Sequence, residues 1–203
     1  GWAFEGVMLG THTGTNLDAP WHYHPTMSGG QRAITIDEVP LDWCYGQGVK
    51  LDFSDKGDGY LVTARDVEEK LKEIGHSLKE GDIVLVQSGA DPYCDSEEYM
   101  LRGCGMGRES TNYLTERGVK LVGTDAWSWD RPLPLVAEEF AKTRDKSIIW
   151  EGHFAGIDRG YCHIEKLTNL DKLPSDGFKV ACFPIKIEGG SAGWVRPVAI
   201  LEE

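Results

Sequence analysis

The chain has 203 residues, 40% of them hydrophobic, enough to bury one sizeable core, and residues 1–203 read as a single domain. A formal net charge of −12 argues against nucleic acid and anionic membrane surfaces as partners through long-range repulsion, and leaves a small-molecule substrate open. Five cysteines, Cys44, Cys94, Cys104, Cys162 and Cys182, include no CxxC pair, which argues against a disulfide framework or a thiolate zinc site and points to a reducing compartment. No apolar run approaches the roughly 20 residues of a membrane span, and Gly1-Trp-Ala-Phe4 has no signal-peptide character. A cytoplasmic protein is the expectation. A polar cluster begins at His12 with no complete strand before it, so the domain is expected to lack an N-terminal segment and, with it, one wall of the site.

That cluster, His12-Thr-Gly-Thr-Asn16-Leu-Asp18-Ala-Pro-Trp-His22-Tyr-His24, is the first element. Gly14, Pro20 and the β-branched Thr13 and Thr15 oppose a continuous helix, so the segment reads as a turn between extended pieces. Gly48–Phe53 follows as a short strand. Thr63–Ile74 reads as an amphipathic helix, with Thr63 as N-cap and Gly75 as its stop. Asp82–Gln87 is apolar throughout, as in a buried sheet centre, and Ser88-Gly89 closes it. Ser110–Arg117 reads as a helix ended by Gly118, and Val119–Gly123 as a further buried strand. Thr124-Asp125 falls at that strand's C-terminal end, where open α/β sheets place functional groups. Ile148–Trp150, Lys179–Ile187 and Val195–Leu201 are the later strands, and His163-Ile-Glu165 is placed on a helical turn. The fold class is a mixed-sheet α/β domain.

Three imidazoles, a carboxylate and a carboxamide within thirteen residues are costly to bury without something to hold them together. Imidazole nitrogen and carboxylate oxygen are the donors that zinc, manganese and iron prefer, so a metal is the economical explanation; polar residues of a surface loop are the plain alternative. Downstream, Glu151-Gly-His153 and His163-Ile-Glu165 carry similar groups but are weak signals alone.

The pattern His12-x-Gly14-Thr15-x-x-Asp18-Ala-Pro20-x-His22 resembles the HxGTHxDxPxH signature of the cyclase-like metal-dependent hydrolases, the group that includes bacterial kynurenine formamidase and isatin hydrolase. Gly81–Gly89, Gly118–Asp125, the His153 and Glu165 pair and Pro197–Ile200 resemble family segments in family order. The resemblance implies a swivelling β/β/α domain and assembly as a homodimer or homotetramer. It also implies metal ligands at His12, Asp18, His22, His153 and Glu165. Asn16 departs, because the family's second histidine is here a neutral carboxamide, a weaker ligand for zinc. The half-site of Asp18, His22, His153 and Glu165 is complete, which implies at least one ion there and a weak, absent or different ion beside His12. Zinc or manganese is the expected metal, with magnesium possible, and a hard ion such as magnesium or manganese would tolerate Asn16 better.

Such a site implies hydrolysis of a small amide, formamide or lactone by a metal-activated water, with His24 and Glu165 as candidate proton carriers, His24 being equally a candidate to do no more than hydrogen-bond to a ligand. A degenerate member that binds a ligand or a metal without turnover is the alternative. Trp2, Phe4, Trp21, Tyr23, Trp43, Trp127 and Trp129 are candidates to stack on a flat substrate or to form core, and Arg131 to pair with a carboxylate, either of the substrate or of Asp130 or Glu138. Gly189-Gly-Ser191-Ala-Gly193 matches the G-x-S-x-G elbow, but no histidine follows Ser191 to complete the α/β-hydrolase order. The glycine-rich loop around Cys104 lacks the Lys-Ser/Thr ending of a P-loop.

Overall fold

Alternation of side chains on the central strands decides the architecture. In the run Ile83-Val-Leu-Val-Gln87, Ile83 and Leu85 enter one hydrophobic core and Val84 and Val86 another, so both faces of the sheet are covered. The computed structural model describes residues 1–201. In chain order its elements are β1 (Asn16–Asp18), α1 (Pro20–Tyr23), β2 (Thr26–Met27), β3 (Gln31–Arg32), β4 (Tyr45–Asp52), β5 (Leu61–Val62), α2 (Ala64–Ile74), β6 (Ile83–Gln87), β7 (Gly105–Met106) and α3 (Arg108–Thr115). Then follow β8 (Leu121–Thr124), α4 (Leu133–Thr143), α5 (Glu151–Asp158), β9 (Cys162–Glu165), β10 (Phe178–Ala181), β11 (Ala192–Trp194) and β12 (Val198–Leu201).

Eight strands form one mixed sheet in the order β11-β1-β9-β8-β6-β4-β10-β12. The centre, from β9 to β4, is parallel; β1 and β11 at one end and β10 and β12 at the other run antiparallel to their neighbours. One core packs α2, through Val67 and Leu71, and α3, through Leu114, against Val49, Leu51, Val84, Val86 and Val122. The other gathers Leu17, Leu85, Leu121, Ile164, Phe178 and Val180. Among the described residues no helix is long and apolar enough to cross a membrane.

Local signals explain the elements that match expectation. The Thr63 hydroxyl accepts from the Asp66 N–H at 3.1 Å, and the Asp66 carboxylate accepts from the Thr63 N–H at 2.8 Å, which closes a capping box on α2. Gly75, at φ 73°, ends the same helix in the left-handed conformation that glycine adopts without strain.

Four expectations are corrected. Ile148–Trp150 is not a strand: Lys146–Ile148 is a 3-10 turn capped by the Asp145 carboxylate, and Trp150, at φ 54°, opens α5. His163-Ile-Glu165 lies on strand β9 rather than on a helical turn, since Cys162 and Ile164 alternate into the core with a period of two. Strand β10 stops at Ala181 instead of running to Ile187. Val195–Leu201 is strand only from Val198, as β12; Val195-Arg196-Pro197 separates it from β11, and proline has no N–H to give a ladder. Helix α3 also starts two residues early, at Arg108, and α4 follows Pro132 with no counterpart in the sequence reading.

Candidate metal centre

Register builds the floor of the site. On β1, Asn16 and Asp18 share one face while Leu17 enters the core; on β9, His163 and Glu165 do the same around Ile164. Antiparallel pairing sets Asn16 opposite Glu165 and Asp18 opposite His163. The His163 Nε2 consequently lies 3.1 Å from Asp18 Oδ2 and 3.3 Å from Glu165 Oε1. Tyr23 ties the strands together, its hydroxyl donating to the Asp18 carbonyl at 3.0 Å and accepting from the His163 N–H at 3.1 Å.

The rim comes from the turn before β1 and from α1. His12 Nδ1 is 2.9 Å from Asp18 Oδ1, and Pro20, starting α1, turns the chain so that His22 Nε2 reaches within 3.8 Å of Asp18 Oδ2. Side-chain exposure of 33% for His12 and 23% for His22, against 1% for Asp18, marks this side as open to solvent.

His153 enters from α5. The Asp130 carboxylate accepts from the backbone N–H groups of Gly152 at 2.7 Å and His153 at 3.1 Å, and from the His153 Nδ1. Gly152 is required for this approach: a Cβ there would sit 2.8 Å from the Trp129 ring and 2.9 Å from the Met106 carbonyl. A histidine whose Nδ1–H is held by a carboxylate keeps its Nε2 lone pair for a ligand, which is how metal-binding imidazoles are commonly oriented. Trp150 stacks on the same ring, with centroids 4.6 Å apart.

Two overlapping donor groups result. Asp18, His153, His163 and Glu165 offer donor atoms within 4.8 Å of one another, as do His12, Asp18 and His22, and Asp18 belongs to both. Their ionisation states are set by one another. Burial raises the Asp18 carboxyl, but the His12 and His163 rings outweigh it and hold the group far below the usual carboxylate range. Burial likewise opposes ionisation of Glu165, yet His163 and Lys166 bring it down to about 2. Burial disfavours a charged His163, while Asp18 and Glu165 reverse this and raise it to about 9. Its buried Nδ1 has no partner among the described residues. For His22 burial dominates, lowering it to about 4 and leaving a neutral ring. A nitrogen and oxygen donor set with two ionised carboxylates and one imidazole already oriented fits a divalent cation.

Each expected residue can now be located. His12 and His22 fall together on Asp18, and His163 takes the place beside His153 and Glu165 that was expected for His22. Asn16 donates its carboxamide N–H to Asp18 and faces Lys166 with its oxygen. His24 lies outside both groups, its Nδ1 within 3.0 Å of the Thr26 hydroxyl. Both Glu165 oxygens are engaged, Oε1 by the Trp129 N–H at 3.3 Å and Oε2 by Lys166 at 2.9 Å. Sequence reasoning missed His163, Asp130, Lys166 and Trp150; strand spacing in His163-Ile-Glu165 was the available signal for the first.

Other candidates resolve as follows. Trp129 and Tyr23 are core residues, whereas Trp21 and Trp127 are exposed. Arg131 pairs with Glu139 at 2.8 Å rather than with Asp130 or Glu138. Asp125 gathers the backbone N–H groups of Ser88, Gly89, Ala90 and Asp91, and so holds a loop rather than a ligand. Cys104 is buried and its thiol is pushed up to about 12 by that burial, which removes it as a nucleophile. Ser191 has a histidine after all: its Oγ lies 3.0 Å from His12 Nε2, although the histidine precedes it in the chain. A cavity of about 460 Å³ lined by Leu85, Leu167, Leu170, Val180, Pro197 and Ala199, among others, contains none of the donor side chains.

Comparison with known proteins bears on family and fold. Residues 3–131 match the Cyclase family, described as "Putative cyclase". The chain is 28% identical over 193 residues to a kynurenine formamidase of Salinibacter ruber, covering 95% of this chain and 77% of that one. It is 26% identical over 220 residues to an isatin hydrolase of Roseibium aggregatum, covering 98% and 75%. The structure of isatin hydrolase A from Ralstonia solanacearum superposes with a TM-score of 0.79 at 23% identity, over 99% of this chain and 76% of that one, and shows the same mixed α/β fold with a large curled sheet. The family match spans the whole His12–His24 segment, and hydrolases of this group align with nearly the full chain: the protein belongs to the cyclase family.

Proposed function

We propose that the chain is a metal-dependent hydrolase that cleaves a small formamide, an open amide or a cyclic amide, with lactones as the neighbouring class. The observation that carries the reading is the Asp130–His153 pair aimed into a cluster that shares Asp18. The relatives named kynurenine formamidase and isatin hydrolase support the bond type. Asp18, His153, His163 and Glu165 would hold a divalent ion, which would supply Lewis acidity toward a carbonyl oxygen and toward water.

The chain's own groups do the rest. Hydrolysis adds water oxygen to the carbonyl carbon, breaks the C–N bond and moves one proton from water to the leaving nitrogen. His22 is the group placed to carry that proton, being neutral, next to Asp18 and at the open rim; His24 is turned away and Glu165 is fully engaged. Trp150, beside both His22 and His153, offers an aromatic face at the same opening.

One observation favours a second reading. Ser191, His12 and Asp18 line up at 3.0 and 2.9 Å in a serine–histidine–aspartate relay. Against it, Asp18 also serves Asn16, His22 and His163, and is not dedicated to His12. Assay of N-formylkynurenine, isatin and simple lactones with and without zinc or manganese tests the first reading, which expects metal-dependent turnover of at least one. Absence of turnover across the panel would contradict it. Ser191→Ala is expected to cost less than about tenfold; a loss on the order of 10³ or more would favour the serine relay.

A further inference from the structure

We propose that the Lys166 ammonium occupies the place of a second cation beside Asn16 and Glu165, so that this site holds one divalent ion and not two. The inference rests on the metal reading above and concerns how many ions the cluster takes. Lys166 Nζ donates to Glu165 Oε2 at 2.9 Å and lies 3.5 Å from Asn16 Oδ1. The side chain is only 12% exposed and crosses the Trp127 ring at 5.0 Å, a cation–π contact that helps hold the charge in place.

The backbone is built to keep it there. Lys166 stands at φ 61°, a left-handed conformation that an ordinary L-residue adopts only when its surroundings enforce it. Its N–H donates to the Ala126 carbonyl at 3.0 Å, and its carbonyl accepts from the Thr15 hydroxyl at 2.7 Å. Thr15 directly precedes Asn16, so one turn fixes both partners of the contact.

Asn16 completes the argument. Only one orientation of its carboxamide satisfies both neighbours: Nδ2 donates to the Asp18 carboxylate and Oδ1 accepts from the ammonium. The reverse would set oxygen against carboxylate and N–H against ammonium. In the satisfied orientation the nitrogen has no lone pair, and Asn16 could reach a second ion only through an oxygen that already faces the ammonium. Charge leads to the same result. Three buried carboxylates, Asp18, Asp130 and Glu165, are neutralised by one divalent ion together with Lys166. A second divalent ion within the buried group would leave an excess of two positive charges there, which a low-dielectric site resists, and the open rim group of His12 and His22 brings no carboxylate of its own beyond the shared Asp18.

The test is ion stoichiometry and affinity, read by native mass spectrometry and calorimetric titration of manganese or zinc into stripped protein. The wild type is expected to bind one ion per chain. Lys166→Met is expected to bind its single ion more tightly, on the order of tenfold, because a like charge has been removed. The double variant Asn16→His with Lys166→Met, which restores a donor and removes the ammonium, is expected to bind two. Two ions of similar affinity in the wild type, or weaker binding in Lys166→Met, would overturn the inference while leaving the metal reading intact. No bound ion in the wild type would overturn the metal reading and this inference with it. The wild type and the single variant decide the matter even if the double variant does not fold.

Discussion

Asp130 never touches the substrate side of the cluster, yet it sets which nitrogen His153 presents. Its carboxylate holds the His153 Nδ1 and caps the two backbone N–H groups that start α5. Asp130→Asn keeps the shape but removes the charge and the strict acceptor, so divalent-ion affinity is expected to fall about 10- to 100-fold with the fold retained, as titration calorimetry and circular dichroism would show. Unchanged affinity would mean that His153 is not held as a ligand. The sequence makes some of these roles legible and hides others. His12, Asp18 and His22 stand in one short run, and Asn16 is visible as a departure because a signature was there to depart from. Asp130 could not be paired with His153 from sequence, since twenty-three positions separate them and the contact exists only after α5 docks. His163 was within reach, two residues before Glu165, but the wrong period for that segment concealed that both share one strand face.

At the scale of elements, local chemistry separates what can be read from what cannot. Helix α2 carries its own start and stop in Thr63, Asp66 and Gly75, and β6 its own apolar run, so both are visible from sequence. Thr63→Ala removes the hydroxyl that accepts the Asp66 N–H and is expected to cost about 1 kcal/mol, or roughly 2–4 °C in melting temperature, without altering the site some distance away. A melting temperature equal to that of the wild type would show that the capping box contributes nothing. Strand β9 and helix α5 lack such signals. Their form is imposed by partners: β9 by parallel pairing to β8 and antiparallel pairing to β1, α5 by Asp130 and by Trp150 in its left-handed conformation. Register matters most here, because a slip of one residue on β1 would turn Asn16 and Asp18 into the core and Leu17 onto the site.

Across the whole molecule, one sheet with a core on each face brings residues from position 12 to position 163 onto a single carboxylate. That strand order, in which β1 lies between β9 and β11, is a product of long-range pairing and cannot be read from periodicity; the family resemblance supplied the expectation in its place. The two cores also account for the cysteines. Cys44, Cys104, Cys162 and Cys182 are buried and free, and burial raises the thiols of Cys44 to about 11 and Cys104 to about 12, so they stay protonated through pH 9. Cys94 alone is exposed, and native protein at pH 8 is expected to react with a thiol reagent at this one residue, all five becoming reactive after unfolding. Fast reaction at a second native thiol would contradict the packing of the sheet. The central claim is that Asp18, shared by both donor groups, is the hub on which a divalent ion depends, and that Asn16 is not a ligand. Calorimetric titration of zinc or manganese into Asp18→Ala and Asn16→Ala tests it most directly. Binding abolished in the first and preserved in the second is the predicted result, and equal loss in both would contradict it.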